Sequence, residues 1–428
     1  MPHALIRALC LVLALFAAAP AHAQLKVDVT QGHVDPMEIA IPAFAGPNGA
    51  DMAGVIRANL ESSGLFDAQD PAAFIERGLQ VNATPRFADW RVIKSEALVV
   101  GAATVDGGRL RVDFRVWDVF GEEQLLGLQF EAGPDAWRRI AHKISDAIYE
   151  RLTGLPGSFD TRVVFVSQSG GKLNRVKRLA IMDQDGANPS FLTDGSEQIL
   201  NPRFSPSNQQ IAYAALSDRG LKVWVLDIDT GRREVIVGLP GMSYAPRFSP
   251  DGGSVVLSGD ADGNAEIYLK NLRSGAVSRL TNNPGIDTSP DISPDGSRIV
   301  FNSDRGGSPQ LYVMARDGSG PRRISFGPGR YSTPVWSPNG EMIAFTRQTG
   351  DRFQIGVMRP DGSGERILSE SYFEEGPTWA PNSQSIMFTR ENPDGSTAIW
   401  AVDVSGRNLR RVPAPGQALD PAWSPRLP

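Results

Sequence analysis

"APRFSPDGGSVVLSG", from Ala245 to Gly259, decides the fold, because the chain writes this phrase six times. The other versions are "NPRFSPSNQQIAYAA" from Asn201, "SPDISPDGSRIVFNS" from Ser289, "TPVWSPNGEMIAFTR" from Thr333, "GPTWAPNSQSIMFTR" from Gly376 and a cut-off "DPAWSPRLP" from Asp420. The Ser-Pro or Ala-Pro step falls at Ser205, Ser249, Ser293, Ser337, Ala380 and Ser424, at spacings of 44, 44, 44, 43 and 44 residues. A fixed period of about 40–45 residues marks a β-propeller with one four-stranded blade per repeat. One blade per step predicts six blades.

Each repeat parses alike. A first strand starts near a proline (Pro202, Pro246, Pro290, Pro334, Pro377, Pro421), where no ladder donor is needed. A large apolar residue follows: Phe204, Phe248, Ile292, Trp336, Trp379 or Trp423. The Ser-Pro-Asp-Gly type of turn comes next, with proline presetting φ and glycine or asparagine accepting φ > 0. A second strand ("IVFNS", Ile299 to Ser303), a third ("LYVMA", Leu311 to Ala315) and a fourth ("RRIS") complete the blade.

The last repeat stops after its first strand. Its three missing strands stand at the front of the array as "TRVVFVS", "RLAIMD" and "SFLT". The C-terminal strand is therefore expected to pair with the first blade and close the ring, which removes the open edges of an unclosed array. Aspartates in "DADGNAE" (Asp260 to Glu266) and "DQDG" (Asp183 to Gly186) read as hairpin turns, not as calcium ligands, because no flanking helices accompany them.

The segment before the propeller differs. "MEIAIPAF" reads as a strand, and "DMAGVIRANLESSG" (Asp51 to Gly64) as a helix capped by Asp51 and stopped by Gly64. "ALVVGAATV", "RLRVDFRVWDV" and "EQLLGLQFEA" read as strands. Trp137, Ile140, Ala141, Ile144, Ile148 and Leu152 stripe a helix between Pro134 and Gly154. The expected fold class is an α/β N-terminal domain followed by an all-β six-bladed β-propeller. The expected organisation is residues 1–23 as a signal peptide, 24–35 as a partner-binding segment, 36–155 as the α/β domain, 156–160 as linker and 161–428 as the propeller.

The signal reading rests on Arg7, the apolar run Ala8 to Ala19 and "AHA" ending at Ala23. The apolar run is too short to span a bilayer. Cleavage after Ala23 leaves Gln24 first and removes Cys10, the one cysteine, so disulfide and thiol chemistry are excluded. Localisation is expected to be periplasmic. Net charge is -5 without basic blocks, which argues against nucleic acid and membrane surfaces as partners. No Gly-x-Ser-x-Gly elbow, Cys/His metal spacing or phosphate loop appears. No enzyme activity, cofactor or metal is expected. His142 is read as solvated on the polar side of its helix, and Glu374 and Glu375 as a solvated surface pair.

Binding remains. The fourth-to-first strand loops gather at one mouth of the channel: "TDGSEQILN", "GLPGMSYA", "TNNPGIDTS", "SFGPGRYST", "SESYFEEG" and "PAPGQALD". They carry Met242, Tyr244, Arg330, Tyr331, Tyr372 and Phe373, of residue types enriched at protein interfaces. At the other end, Leu25, Val27 and Val29 alternate with Lys26 and Asp28, so "QLKVDVTQGHVD" can form a strand, either of its own domain or added to another sheet's edge.

The signal, "IAIPAFAGP…GVIRANLESSGLF", "YERLTG", "TRVVFVSQ" and six Ser-Pro repeats ending in "PAWSP" stand in an order that resembles the TolB family of the Tol-Pal cell-envelope system. The resemblance spans essentially the whole mature chain. It implies a monomeric adaptor that does not insert into the membrane, with two partners. The peptidoglycan-associated lipoprotein Pal would sit at the propeller mouth, with Met242, Ala245 and Thr288 among the facing residues. Glu197, Tyr244, Arg330, Tyr331, Thr333, Phe373, Glu374 and Gln417 complete that expected set. The C-terminal domain of TolA would take the N-terminal segment: Gln24, Leu25, Lys26, Val27, Asp28, Val29, Thr30, Gln31, Gly32, His33, Val34 and Asp35. The implied role is outer-membrane integrity and constriction at division. A propeller hydrolase and a carbohydrate-binding propeller of the envelope are the alternatives.

Overall fold

The structure is a computed structural model that describes residues 25–27, 35–171, 174–207, 209–218, 220–237, 241–260 and 262–428. The expected signal peptide and its cleavage point lie outside the described residues, as do Gln24 and residues 28–34 of the expected TolA segment. The chain divides into two compact units. One holds residues up to Glu61 with Leu65–Leu155, and the other holds Pro156–Pro428 with Ser62–Gly64. Among the described residues no helix is long and apolar enough to cross a membrane.

The first unit is a five-stranded mixed sheet with helices. In chain order it contains β1 (Met37–Ala40), α1 (Gly49–Ser62), β2 (Phe66–Ala68), α2 (Phe87–Val92), β3 (Ala97–Asp106), β4 (Arg109–Asp118), β5 (Glu123–Ala132) and α3 (Trp137–Thr153). The sheet order is β2-β1-β3-β4-β5, with β1 parallel to both neighbours and β3, β4 and β5 antiparallel. Strand β4 alternates cleanly, burying Leu110, Val112, Phe114 and Val116, as a sheet covered on one face requires. Helix α3 packs on β4 and β5 through Ile140, Ile144, Ile148 and Leu152. It ends where Gly154 takes a left-handed φ of 76° and donates its N–H to the Glu150 carbonyl.

Two local readings need correction here. Helix α1 starts two residues earlier than Asp51, after Asn48, whose carbonyl accepts the Met52 N–H at 2.8 Å. His142 is buried, not solvated: Asn59 Nδ2 donates to its Nδ1 at 2.9 Å and to Ser145 Oγ at 3.0 Å. The polar partners for the imidazole come from α1, so α3 alone does not reveal them.

The second unit is six four-stranded sheets. Their inner strands are Gln198–Phe204, Ser243–Phe248, Asp287–Ile292, Arg330–Trp336, Glu374–Trp379 and Gln417–Trp423. The last of these pairs antiparallel with Arg162–Ser169, so the C-terminus supplies the inner strand of the sheet that opens the propeller. Successive blades bury apolar faces against one another; one such core joins Phe165, Met387, Ile399 and Trp423. Side chains also bridge inner strands one repeat apart. Asp291 accepts the Trp336 N–H at 2.7 Å, and Thr378 accepts the Trp423 N–H at 3.1 Å.

The repeated phrase has two structural purposes. In the turn, Ser249 Oγ accepts the Ser254 N–H at 2.9 Å while Asp251 accepts the Gly253 N–H at 3.0 Å; Ser293 with Asp295 and Ser337 with Asn339 repeat the arrangement. The Ser293 hydroxyl, then the N–H and hydroxyl of Ser297, donate to the Asp295 carboxyl and draw it down to about 2. Before the turn, each inner strand carries a bulge at the residue preceding its proline. Asn201, Ala245, Ser289, Thr333, Gly376 and Asp420 all have φ between 45° and 67°, and the ladder register shifts there in every blade. Five of the six are not glycine, so each holds about 1–3 kcal/mol of strain that the closed ring must overcome. The outer strands of five blades carry arginine (Arg233, Arg279, Arg322, Arg366, Arg410), a charge that discourages pairing with a second chain.

Asp183 and Asp185 accept bonds from Asn188 and Ala187 within their own hairpin. Glu266 is buried and engaged by Arg279, Thr281 and the Asn283 N–H.

Candidate partner-binding mouth

The loops that enter the inner strands carry four large apolar side chains in solvent. Met242 is 49% exposed, Ile286 51%, Phe326 72% and Tyr372 67%. They stand on four consecutive interblade loops, and Arg323 lies over the Phe326 ring at 5.2 Å. Burying such a group is worth roughly 1.5–3 kcal/mol, so exposed apolar side chains grouped at one mouth are of the kind that interaction surfaces use.

Beneath this rim the loops are braced. Thr281 and Ser325, one repeat apart, accept the N–H groups of Ile267 and Leu311 at 2.9 and 2.8 Å. Gln310 accepts from Ser325 Oγ at 2.6 Å and donates to the Gly329 carbonyl at 3.0 Å. At the first position of two inner strands a buried acid meets an arginine: Asp287 with Arg305 at 2.6 Å, and Glu374 with Arg390 Nε at 2.6 Å. Burial raises both carboxyls; the arginines and hydroxyl hydrogen bonds oppose it. A braced loop loses little freedom when a partner docks, so more of the contact energy appears as affinity.

The expected Pal-facing residues divide accordingly. Met242 and Arg330 are exposed on the rim. Tyr244, Ala245, Thr288, Thr333, Phe373 and Gln417 are half-buried: Thr288 bonds Asn302, Thr333 bonds Thr346, Gln417 bonds Gln168, and Phe373 packs on Phe353 at 5.1 Å. Glu197 is paired with Arg233. Tyr331 and Glu374 do not present themselves. Tyr331 is fully buried with its hydroxyl donating to Glu365 at 2.8 Å, and Glu374 is fully buried against Arg390. Both hold loops in place from below. Ile286 and Phe326 escaped the sequence reading; the signal for Ile286 was a single large apolar residue in an otherwise polar loop, and Phe326 shares its loop with Tyr331.

Glu374 and Glu375 were expected as a solvated surface pair, but Glu374 is fully buried and Glu375 half-buried. Burial first, then the neighbouring Asp420, pushes Glu375 up to about 7, with Lys177 opposing. A carboxyl raised in the folded state stabilises fully below its ordinary value near 4.5, and that stabilisation is lost as pH rises through about 7. Glu375→Gln is therefore expected to melt on a flatter curve from pH 4.5 to 8. At pH 8 it should exceed the parent by on the order of 3 kcal/mol. Parallel urea titrations of the two chains measure the difference, and identical pH slopes would refute it.

Of the expected TolA segment, Leu25, Lys26, Val27 and Asp35 are described. Residues 25–27 lie in no strand; Val27 is buried and donates its N–H to the Leu152 carbonyl at 2.8 Å, at the end of α3.

Comparison with known proteins now bears on these features. A model described as the TolB β-propeller domain matches residues 149–427, and one described as the TolB amino-terminal domain matches residues 25–125. A Tol-Pal system protein TolB from Paramagnetospirillum magneticum is 51% identical over 244 residues, and the match covers 55% of this chain and 55% of that protein. The chain thus spans about half the length of that curated relative. The crystal structure of TolB from Acinetobacter baumannii shares 29% identity and a TM-score of 0.82, over 94% of this chain and 100% of that one. Hydrazine synthase from Kuenenia stuttgartiensis, at 14% identity and a TM-score of 0.52 over 63% of this chain and 48% of that one, shares the propeller fold alone. With both family models matching in order along the chain, the protein belongs to the TolB family of Tol-Pal system proteins.

Proposed function

We propose that this chain is a periplasmic adaptor that takes the lipoprotein Pal at the propeller mouth and the C-terminal domain of TolA through residues 24–35. Membership of the TolB family makes it a non-enzymatic component of the Tol-Pal system. The observation that carries the Pal assignment is the rim of Met242, Ile286, Phe326 and Tyr372, held on braced loops and left in solvent. Through it the adaptor would hold Pal away from the cell wall, and removal of the adaptor would release Pal to support the outer membrane during constriction. The N-terminal assignment is favoured by the anchor at Val27, which fixes one point of the segment on the first unit.

Calorimetry of the Pal periplasmic domain against residues 24–428 and 36–428 tests the division of labour. Both versions are expected to bind Pal, and only the longer one to bind the TolA domain. Failure of both to bind Pal would overturn the mouth assignment. Equal binding of TolA by both would overturn the N-terminal one.

A further inference from the structure

The inner strands change character just past their bulges. The residues after the six prolines are Arg203, Arg247, Asp291, Val335, Thr378 and Ala422. A cavity of about 20 Å³ lies among four consecutive inner strands, lined by Asn201, Arg203, Ala245, Arg247, Ser289 and Thr333 with two of the prolines. That space suits one small ion or water. No carboxylate lines it.

The two arginines differ. Arg247 has an acid: its Nε lies 3.6 Å from Asp291 Oδ1. Arg203 has none. Only 8% of it is exposed, its Nη1 donates to the Pro202 carbonyl at 2.6 Å, its buried Nε–H meets no acceptor, and it forms no ion pair among the described residues. Asp420, the other acid near Arg247, accepts the Asn201 N–H at 3.3 Å. A guanidinium does not shed its proton in a protein, so burial cannot neutralise it. An unpaired buried charge costs several kcal/mol, and an anion within reach removes most of that cost.

We propose that this cavity binds one small monovalent anion, a halide or a single carboxylate group, on the Arg203 guanidinium, with Arg247 adding positive potential and Ser289 and Thr333 polar lining. The anion comes either from solution or from an acidic side chain of a partner at the mouth. The assignment stands independently of which partner docks there.

Crystals of the mature chain grown in sodium bromide test it by anomalous scattering. A bromide peak within hydrogen-bonding reach of Arg203 is expected, and it should vanish in Arg203→Gln. At constant ionic strength, replacing gluconate by chloride should raise the melting temperature of the parent and leave Arg203→Gln unmoved. If that variant does not fold, scattering from the parent decides alone. In crystals of the Pal complex, a retained bromide identifies a free ion as the ligand, and a Pal carboxylate in its place identifies the partner as the source. A cavity without an anion in both crystals, with melting indifferent to chloride, overturns the proposal.

Discussion

Removal of residues 417–428 is expected to abolish cooperative folding of the propeller. The strand Gln417–Trp423 pairs along Arg162–Ser169, from Gln417 opposite Gln168 to Trp423 opposite Val163. Trp423 Nε1 donates to Thr161 Oγ1 at 2.8 Å, and Ser424 Oγ accepts the Arg162 N–H at 2.9 Å. Trp423 also fills the core that Phe165 shares with Met387 and Ile399 of the neighbouring blade. Deleting the strand strips a ladder from one blade and the apolar cover from two, and leaves Arg162–Ser169 as a newly unpaired inner edge. The single change Trp423→Ala isolates the packing part and should cost about 3–5 kcal/mol. Urea unfolding followed by tryptophan fluorescence reads both. A truncated chain that still melts in one sharp transition would show that closure contributes little.

The second large effect concerns the rim. Replacing both Phe326 and Tyr372 by alanine is expected to weaken Pal binding by about a thousandfold, from roughly 2 kcal/mol for each aromatic anchor. Neither side chain supports the fold, since each is about two-thirds or more in solvent. The variant should therefore melt with the parent. Phe191→Ala serves as the control: that ring is also exposed, but it sits on an outer strand. Its loss should leave affinity unchanged. If the double variant binds Pal as the parent does, the apolar rim is not the docking surface.

The repeat and its consequences were legible without coordinates because they are written in local chemistry. A Ser-Pro-Asp-Gly turn needs its residues adjacent, and the hydroxyl and carboxylate of Ser249 and Asp251 close that turn from within. The 44-residue period therefore announces the blades, and the missing strands of the last repeat announce the closure at Trp423. The stripe on α3 and its Gly154 stop belong to the same class.

What escaped depends on residues far apart in sequence. His142 reads as solvated until Asn59 reaches it from another helix. Glu374 looks like half of a surface pair until Arg390 is folded over it. Tyr331 and Phe326 stand five residues apart on the same loop and strand start, yet one is sealed beneath the mouth and the other stands in water. By itself the sequence determined the number of blades, the seam that closes them and which loops form the mouth, because turns and strand alternation depend on neighbours in the chain. Only the tertiary structure decided which mouth residues face outward, which acids are paired and which inner-strand arginine has no acidic side chain beside it among the described residues. Burial and charge pairing depend on neighbours in space, and in a closed ring those come from the next blade.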